Sequence, residues 1–202
     1  MKTRGRFAFP QAMLAVVLIG GLPAAMGQTG NANDRPLLLP TRDVDVTYEI
    51  PQGSRTLAQR LRWIASARKL RVDPPIPDLF VIIDYDQKRM SMVRDRERTV
   101  IDMAAPEQFV SGMEGRLATA SRKGDQVVSG LPCTDWQTRD FHNQPATACI
   151  TADGVLLEAR SHGRTVLMAS SVRYTAQDPA LFQIPQDYMH VSSDTLPQMP
   201  AR

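Results

Sequence analysis

The chain has 202 residues, 43% apolar and 22% charged, with two cysteines and a formal charge of +3. Such a composition excludes a disordered or collagen-like chain. Two cysteines are too few for a disulfide-rich miniprotein or a zinc knuckle, so any structural staple is a single one.

At the start, Lys2, Arg4 and Arg6 carry positive charge with no acid among them, and Ala12 to Leu22 is an unbroken run of small and apolar residues. Ala25 and Gly27 follow as small side chains. Charged, apolar and small-residue regions in that order predict a secretory signal peptide over residues 1–27. The apolar run would rise only about 17 Å as a helix, short of the ~30 Å bilayer core, so cleavage is expected rather than anchoring. No cysteine lies at the cut, so no lipid attachment is expected there. Cleavage would remove three cations and no acid, leaving 21 residues of each sign and no net charge. A basic footprint for nucleic acid or anionic lipid is then absent from the bulk of the chain. The expected location is the periplasm, with no stable membrane insertion.

Residues 28–42 are polar and bear Gly, Asn and Pro, and read as a flexible leader in which Leu37, Leu38 and Leu39 offer an edge strand. Residues 43–191 read as one domain, large enough to bury a core. Residues 192–202 read as a loose tail. From Asp43 to Ile50 apolar and polar residues alternate strictly, which predicts a half-buried strand. An extended stretch runs from Leu61 through Leu70 to Val72 and is broken by Pro74, Pro75 and Pro77. The local basic run Arg60, Arg62, Arg68, Lys69 and Arg71 reads as a solvated face. Leu79 to Tyr85, Lys88 to Val93 and Thr99 to Met103 read as further strands, with Asp86-Gln87 as a turn.

Pro106 to Ala120 is the exception. Pro106 suits a first helical turn, and Glu107 favours the positive end of the dipole. Phe109, Val110, Met113 and Leu117 form one apolar stripe. Gly112 and Gly115 weaken the helix by about 1 kcal/mol each, or admit close approach to a sheet. Beyond it a meander is expected: Gln126 to Thr138, Thr147 to Thr151, Val155 to Ser161, and Arg164 to Thr175. Asp153-Gly154 and His162-Gly163 supply turns, since glycine takes positive φ freely. Phe182 to Pro185 closes the domain with bulky residues inward.

Cys133 and Cys149 fall on strands expected to be neighbours. In an oxidising compartment they should form a disulfide, worth about 3 kcal/mol by loop entropy. A redox or metal-binding pair is the alternative, but the CxxC spacing is missing. His142, His162 and His190 are scattered and read as surface or turn residues. Asp43 with Asp45, and Asp84 with Asp86, lie two apart on a strand; the spacing suits a divalent cation or a wet face. No nucleophile elbow, phosphate loop or HExxH motif is present. Ser161 and His162 are adjacent, and strand neighbours point to opposite faces. An enzyme is therefore not expected, though Asp84 and His142 would be the first residues to test, and no cofactor or metal is expected.

Three features together resemble the LolA-like superfamily of envelope proteins: the signal peptide, the long strand run interrupted by one helix, and the late meander ending in Leu181 to Tyr188. Phe80 to Tyr85 with Arg89 to Val93, and Cys133 to Trp136 followed by Cys149 to Leu157, look like the strand pairs of its uncharacterised secreted branch. The resemblance spans roughly Val44 to Val191. It implies an incomplete antiparallel barrel curled round an apolar cavity and lidded by helices. Some members carry lipids or the acyl chains of lipoproteins; others act as envelope sensors. No functional residue transfers from them, and the helical lid here is smaller.

The expected fold is thus mainly β (α+β): a curled antiparallel half-barrel sheet with an amphipathic helix on its concave face. A large curled sheet with one short helix leaves either a packed core or a cavity. Met90, Met92, Met103, Met113 and Met168 suit an adaptable apolar lining, or ordinary gap filling. The expected lining and lid are Met90, Met92, Phe109, Met113, Leu117 and Met168. The expected function is a non-enzymatic periplasmic carrier for an apolar chain, a lipid or an acylated protein. The alternative is an interaction or sensor module that contacts an envelope protein with the same sheet.

Overall fold

Alternating side chains build the sheet that the sequence implies. The computed structural model describes residues 35–107, 117–140 and 142–192, all within one compact unit, Ala32–Arg202. These residues contain β1 (Val44–Gln52), β2 (Arg55–Ile64), β3 (Lys69–Asp73), β4 (Leu79–Asp84), β5 (Arg89–Arg94) and β6 (Thr99–Ala104). After them come β7 (Ser121–Val128), β8 (Leu131–Arg139), β9 (Pro145–Ile150), β10 (Leu156–Ser161), β11 (Arg164–Arg173) and β12 (Met189–Ser192). They form one sheet in the order β12-β6-β5-β4-β3-β2-β1-β11-β10-β9-β8-β7. Only β12 against β6 is parallel. The sheet is curled and unclosed, with β12 and β7 at its edges, and there is almost no helix among the described residues.

Two expected strands are in fact hairpins. The stretch 61–72 turns at Ala65–Arg68, and 126–138 turns at Ser129-Gly130. The first carries no glycine, which is why its sequence reads as continuous. Arg68 supplies the positive φ itself, at 47°, as do Lys88 at 52° and Arg98 at 47° in the next two hairpins. An L-residue pays roughly 1–2 kcal/mol for that conformation. Each turn is tied to the neighbouring hairpin: Tyr85 N donates to Arg68 O, Ala105 N to Lys88 O, and Met189 N to Arg98 O.

The helix expected over Pro106–Ala120 falls largely on residues 108–116, outside the described residues, as do Phe109 and Met113. Glu107 on one side and Leu117–Ala118 on the other are helical. The signal peptide expected over residues 1–27 also lies outside the described residues.

Ladder register defines two faces. Val46, Leu61, Val72, Val81, Met92 and Ile101 are successive cross-strand partners from β1 to β6 and share one face. We call this face inner, because it carries the cavities described below. The outer face of β2–β6 bears its own core of Ile64, Phe80, Ile82, Val93 and Val100. A 3-10 turn, Pro179–Phe182, seals that core by burying Phe182. Asp178 caps the turn by accepting from Ala180 N. Arg71 crosses the Phe80 ring at 3.9 Å and donates to Leu181 O.

The basic run is solvated only in part, Arg60 and Arg68 being 40% and 52% exposed. Arg62 and Arg71 are 11% and 17% exposed, and they meet Asp73 at 3.3 Å and 2.9 Å. Arg60 pairs with Asp45, Arg68 with Asp86 and Lys69 with Asp84. Arg60, Arg62 and Lys69 find their acids opposite or diagonal on a neighbouring strand, Arg71 finds Asp73 two positions along its own strand, and Arg68 finds Asp86 in the next turn. Burial of Arg62 pushes its pKa down, with Asp73 opposing.

Candidate functional site: an apolar trough crossed by the leader

On the inner face Val44, Val46 and Tyr48 of β1 stand beside Leu61 and Trp63 of β2 and Leu70 of β3. Leu156 and Leu167 face them from β10 and β11, and together with Tyr85 these side chains line a cavity of about 170 Å³. A second cavity, about 220 Å³, is floored by Ala146, Ala148 and Ile150 of β9, Leu156 and Ala159 of β10, and Leu117. Its rim is polar, with Thr138, Arg139, Asp140, Arg160 and Ser161. Leu38, Gly154 and Leu156 belong to both linings. The two cavities are therefore halves of one apolar trough.

What lies across the trough is the end of the expected leader. Leu37 borders the larger cavity, Leu39 and Pro40 the smaller, and Leu38 stands between. Leu37–Leu39 form no strand and pair with no sheet edge. Gly154 permits their approach. Its φ is +92°, and a Cβ there would meet Leu39 O at 2.5 Å. Only glycine satisfies both conditions. Asp153 fastens the strap at its far end: Thr41 N donates to Asp153 O at 3.0 Å, and Arg42 Nε donates to the carboxylate at 2.7 Å. Tyr174 OH donates to the same carboxylate, and Arg42 lies 3.5 Å over the Tyr174 ring. Burial pushes the Asp153 carboxyl up, but hydrogen bonds from Thr151, Arg42 and Tyr174 outweigh it and hold it below its ordinary value.

Of the expected lining residues, Met90 and Met92 do lie on the inner face, beside Met103 and Ile101 of β6, yet neither borders the two cavities. Leu117 is buried with Trp136 and Ile150 and lines the larger cavity. Met168 lies on the outer face, opposite Glu49 and Glu158, and is 37% exposed. A register shift beside it lets β11 keep Ala169 against Tyr48. Sequence reading missed Leu38, Gly154 and Leu156 as lining residues. A Leu-Leu-Leu run beside a Pro, and a Gly in an Asp-Gly turn, carried the signal.

Cys133 and Cys149 form the disulfide, with Cα atoms 5.5 Å apart. Trp136 pairs with Ala148, so by alternation the cysteines sit on the opposite side of β8–β9 from the trough. Trp63 presents a buried indole Nε1 with no hydrogen-bond partner. Tyr48 OH donates to Leu156 O, and burial raises its pKa.

The polar residues singled out in the sequence sit in local hydrogen-bond clusters. Ser161 Oγ does reach His162 Nδ1, at 3.1 Å, against the strand-neighbour expectation. His162 sits at φ 51° in the turn, which swings its ring back. Asp140, however, accepts a hydrogen bond from the Ser161 hydroxyl at 2.8 Å, so the carboxylate sits on the serine and not on the imidazole, the reverse of a relay triad. His142 lies in the turn after β8, its N–H donating to Asp140. Asp84 is buried and accepts from Gln87 N, with Lys69 Nζ at 3.3 Å. Asp43 caps Ala65 N and Gln177 N. Among the described residues no His/Cys/Asp/Glu group has the arrangement to hold a metal ion, and no helix is long and apolar enough to cross a membrane.

No family model and no curated protein matches the sequence. Solved structures do match the fold. An uncharacterized conserved protein from Thermus thermophilus superposes with a TM-score of 0.55 at 15% identity, over 75% of this chain and 91% of that one. MucB superposes with a TM-score of 0.50 at 12% identity, over 74% of this chain and 60% of MucB. MucB in complex with MucA(peri) gives 0.46 at 13% identity, over 74% and 56%. The chain spans less than two thirds of MucB. At these identities the likeness is one of fold alone.

Proposed function

We propose that the protein is a non-enzymatic periplasmic binder of an apolar chain, a lipid or the acyl group of an acylated protein, held in the inner trough. The observation that carries this reading is a continuous apolar lining drawn from β1–β3 and β9–β11, with charged groups kept to its rim. An incompletely filled apolar concavity with a few polar groups at its mouth is the usual form of a ligand site. The disulfide fits an oxidising compartment. The two larger depressions, about 420 and 370 Å³, are flanked by charged groups such as Arg42, Asp125 and Asp153, or Arg94, Arg96 and Glu97, and suit an alkyl chain less well.

Native mass spectrometry of protein purified from its own envelope, followed by organic extraction, tests the reading. A stoichiometric co-purifying lipid supports it. Protein that is lipid-free as isolated and takes up no fatty acid in solution overturns it, and a role in contacting an envelope protein would then be preferred.

A further inference from the structure

Resting on that reading, we propose that the Leu37–Pro40 strap is an internal plug that competes with the ligand, and that Leu38 sets the length of alkyl chain the trough accepts. The trough is one surface by its lining but two chambers by its occupancy. Leu38, Gly154 and Leu156 are common to both, and of these only Leu38 belongs to a segment that is not part of the sheet or its turns. A chain short enough for one chamber needs no displacement of the strap. A longer straight chain must pass the position of Leu38.

The attachment of the strap is suited to release. Leu37 is 43% exposed, and Leu38 and Leu39 are only half-buried. The near fixings are apolar contacts of the same kind an alkyl chain would make. The directional fixings, from Thr41 and Arg42, all converge on Asp153 at the edge of the trough. Because Leu39 O lies only 2.5 Å from where a Gly154 Cβ would stand, no second chain passes between strap and turn. Strap and long ligand are mutually exclusive there. A site whose open form is only partly populated binds with an affinity lowered by that fraction.

Calorimetric titration of the whole protein with octanoate and hexadecanoate, joined to amide exchange at Thr41, tests the proposal. Hexadecanoate should abolish the protection of the Thr41 amide, and octanoate should leave it intact. Leu38→Ala should bind hexadecanoate at least about fivefold more tightly, by removal of the competing plug. Arg42→Gln, an exposed change that loosens the strap without touching the trough, should shift hexadecanoate binding in the same direction and covers a Leu38→Ala that fails to fold. If hexadecanoate binds but Thr41 stays protected and neither variant alters affinity, the plug is wrong while the carrier reading stands. If neither fatty acid binds the wild type or either variant, both fall.

Discussion

Two regions of the sheet solve the same packing problem differently. Over β4–β6 the outer face carries the core, and the chain returns with Phe182, Leu181 and Ile184 to cover it. Over β1–β3 and β9–β11 the inner face carries Val44, Val46, Tyr48, Trp63 and Ile150, and the covering segment is Leu37–Pro40. Phe182 is a large rigid ring brought in by a capped turn, and it is 3% exposed. The leucine strap is narrow, and it leaves voids on both sides of Leu38. A cover with shape and its own hydrogen bonds closes a sheet; a cover of extended chain leaves room for something else. Dense packing is the rule in interiors, so the trough is the departure on which the binding proposal rests.

Substitutions should show that contrast. Phe182→Ala removes the filler at the closed end and should cost about 3–4 kcal/mol in urea unfolding; a loss below about 1 kcal/mol would mean that the turn is not a seal. Cys133→Ser opens the link between β8 and β9 behind the trough and should cost about 3 kcal/mol. Two reactive thiols in the unreduced wild-type protein would contradict it.

Asp45 joins the halves from the outer face. It is 4% exposed, and it accepts from Arg60 and Arg173. The Arg60 bond leads in holding its carboxyl down to about 2 against an ordinary 3.8, with burial opposing and Arg173 assisting. A depressed carboxyl stabilises the fold fully above its ordinary value and ceases to do so as pH falls through the folded one. Asp45→Asn should therefore cost about 2 kcal/mol at neutral pH, with partly exposed arginines reducing the usual figure for a broken pair. The difference from wild type should shrink as pH falls from 3.8 toward about 2. A deficit independent of pH would assign the effect to packing.

The smallest effect is at the edge strand. His190 Nδ1 lies 2.8 Å from Asp102, whose other oxygen accepts from Ser91. The Asp102 bond, then the Pro185 carbonyl, raise the imidazole above its ordinary 6.5. A raised imidazole contributes below the unfolded value and loses its contribution as pH rises through the folded one. Amide exchange of Val191 should accelerate over that rise in wild type, beyond the intrinsic rate, and not in His190→Gln. Equal profiles would show that β12 is held by its backbone alone.

Legibility followed the range of each interaction. The alternation of Val44, Val46 and Tyr48, the turns at Gly154 and Gly163, and the cysteine pair depend on neighbours in sequence or on compartment, and each reads directly. The hairpin at Ala65–Arg68 does not, because a basic residue takes the left-handed role there with no glycine to mark it. Met168 was grouped with Met90 and Met92 by chemistry alone, and parity across shifted ladders sends it to the other face. The leader read as polar and loose because its three leucines have no periodic partner within the segment.

The chain's own residues determined that a mainly β, once-bridged domain forms, since strand alternation and turn chemistry act over a few positions. The tertiary structure alone decided which face became the interior, that nearby acids pair with the basic run, and that Leu37 and Leu39 came to rest against Gly154. Those outcomes depend on register accumulated across many strands, where a single bulge reverses the side on which every later residue stands.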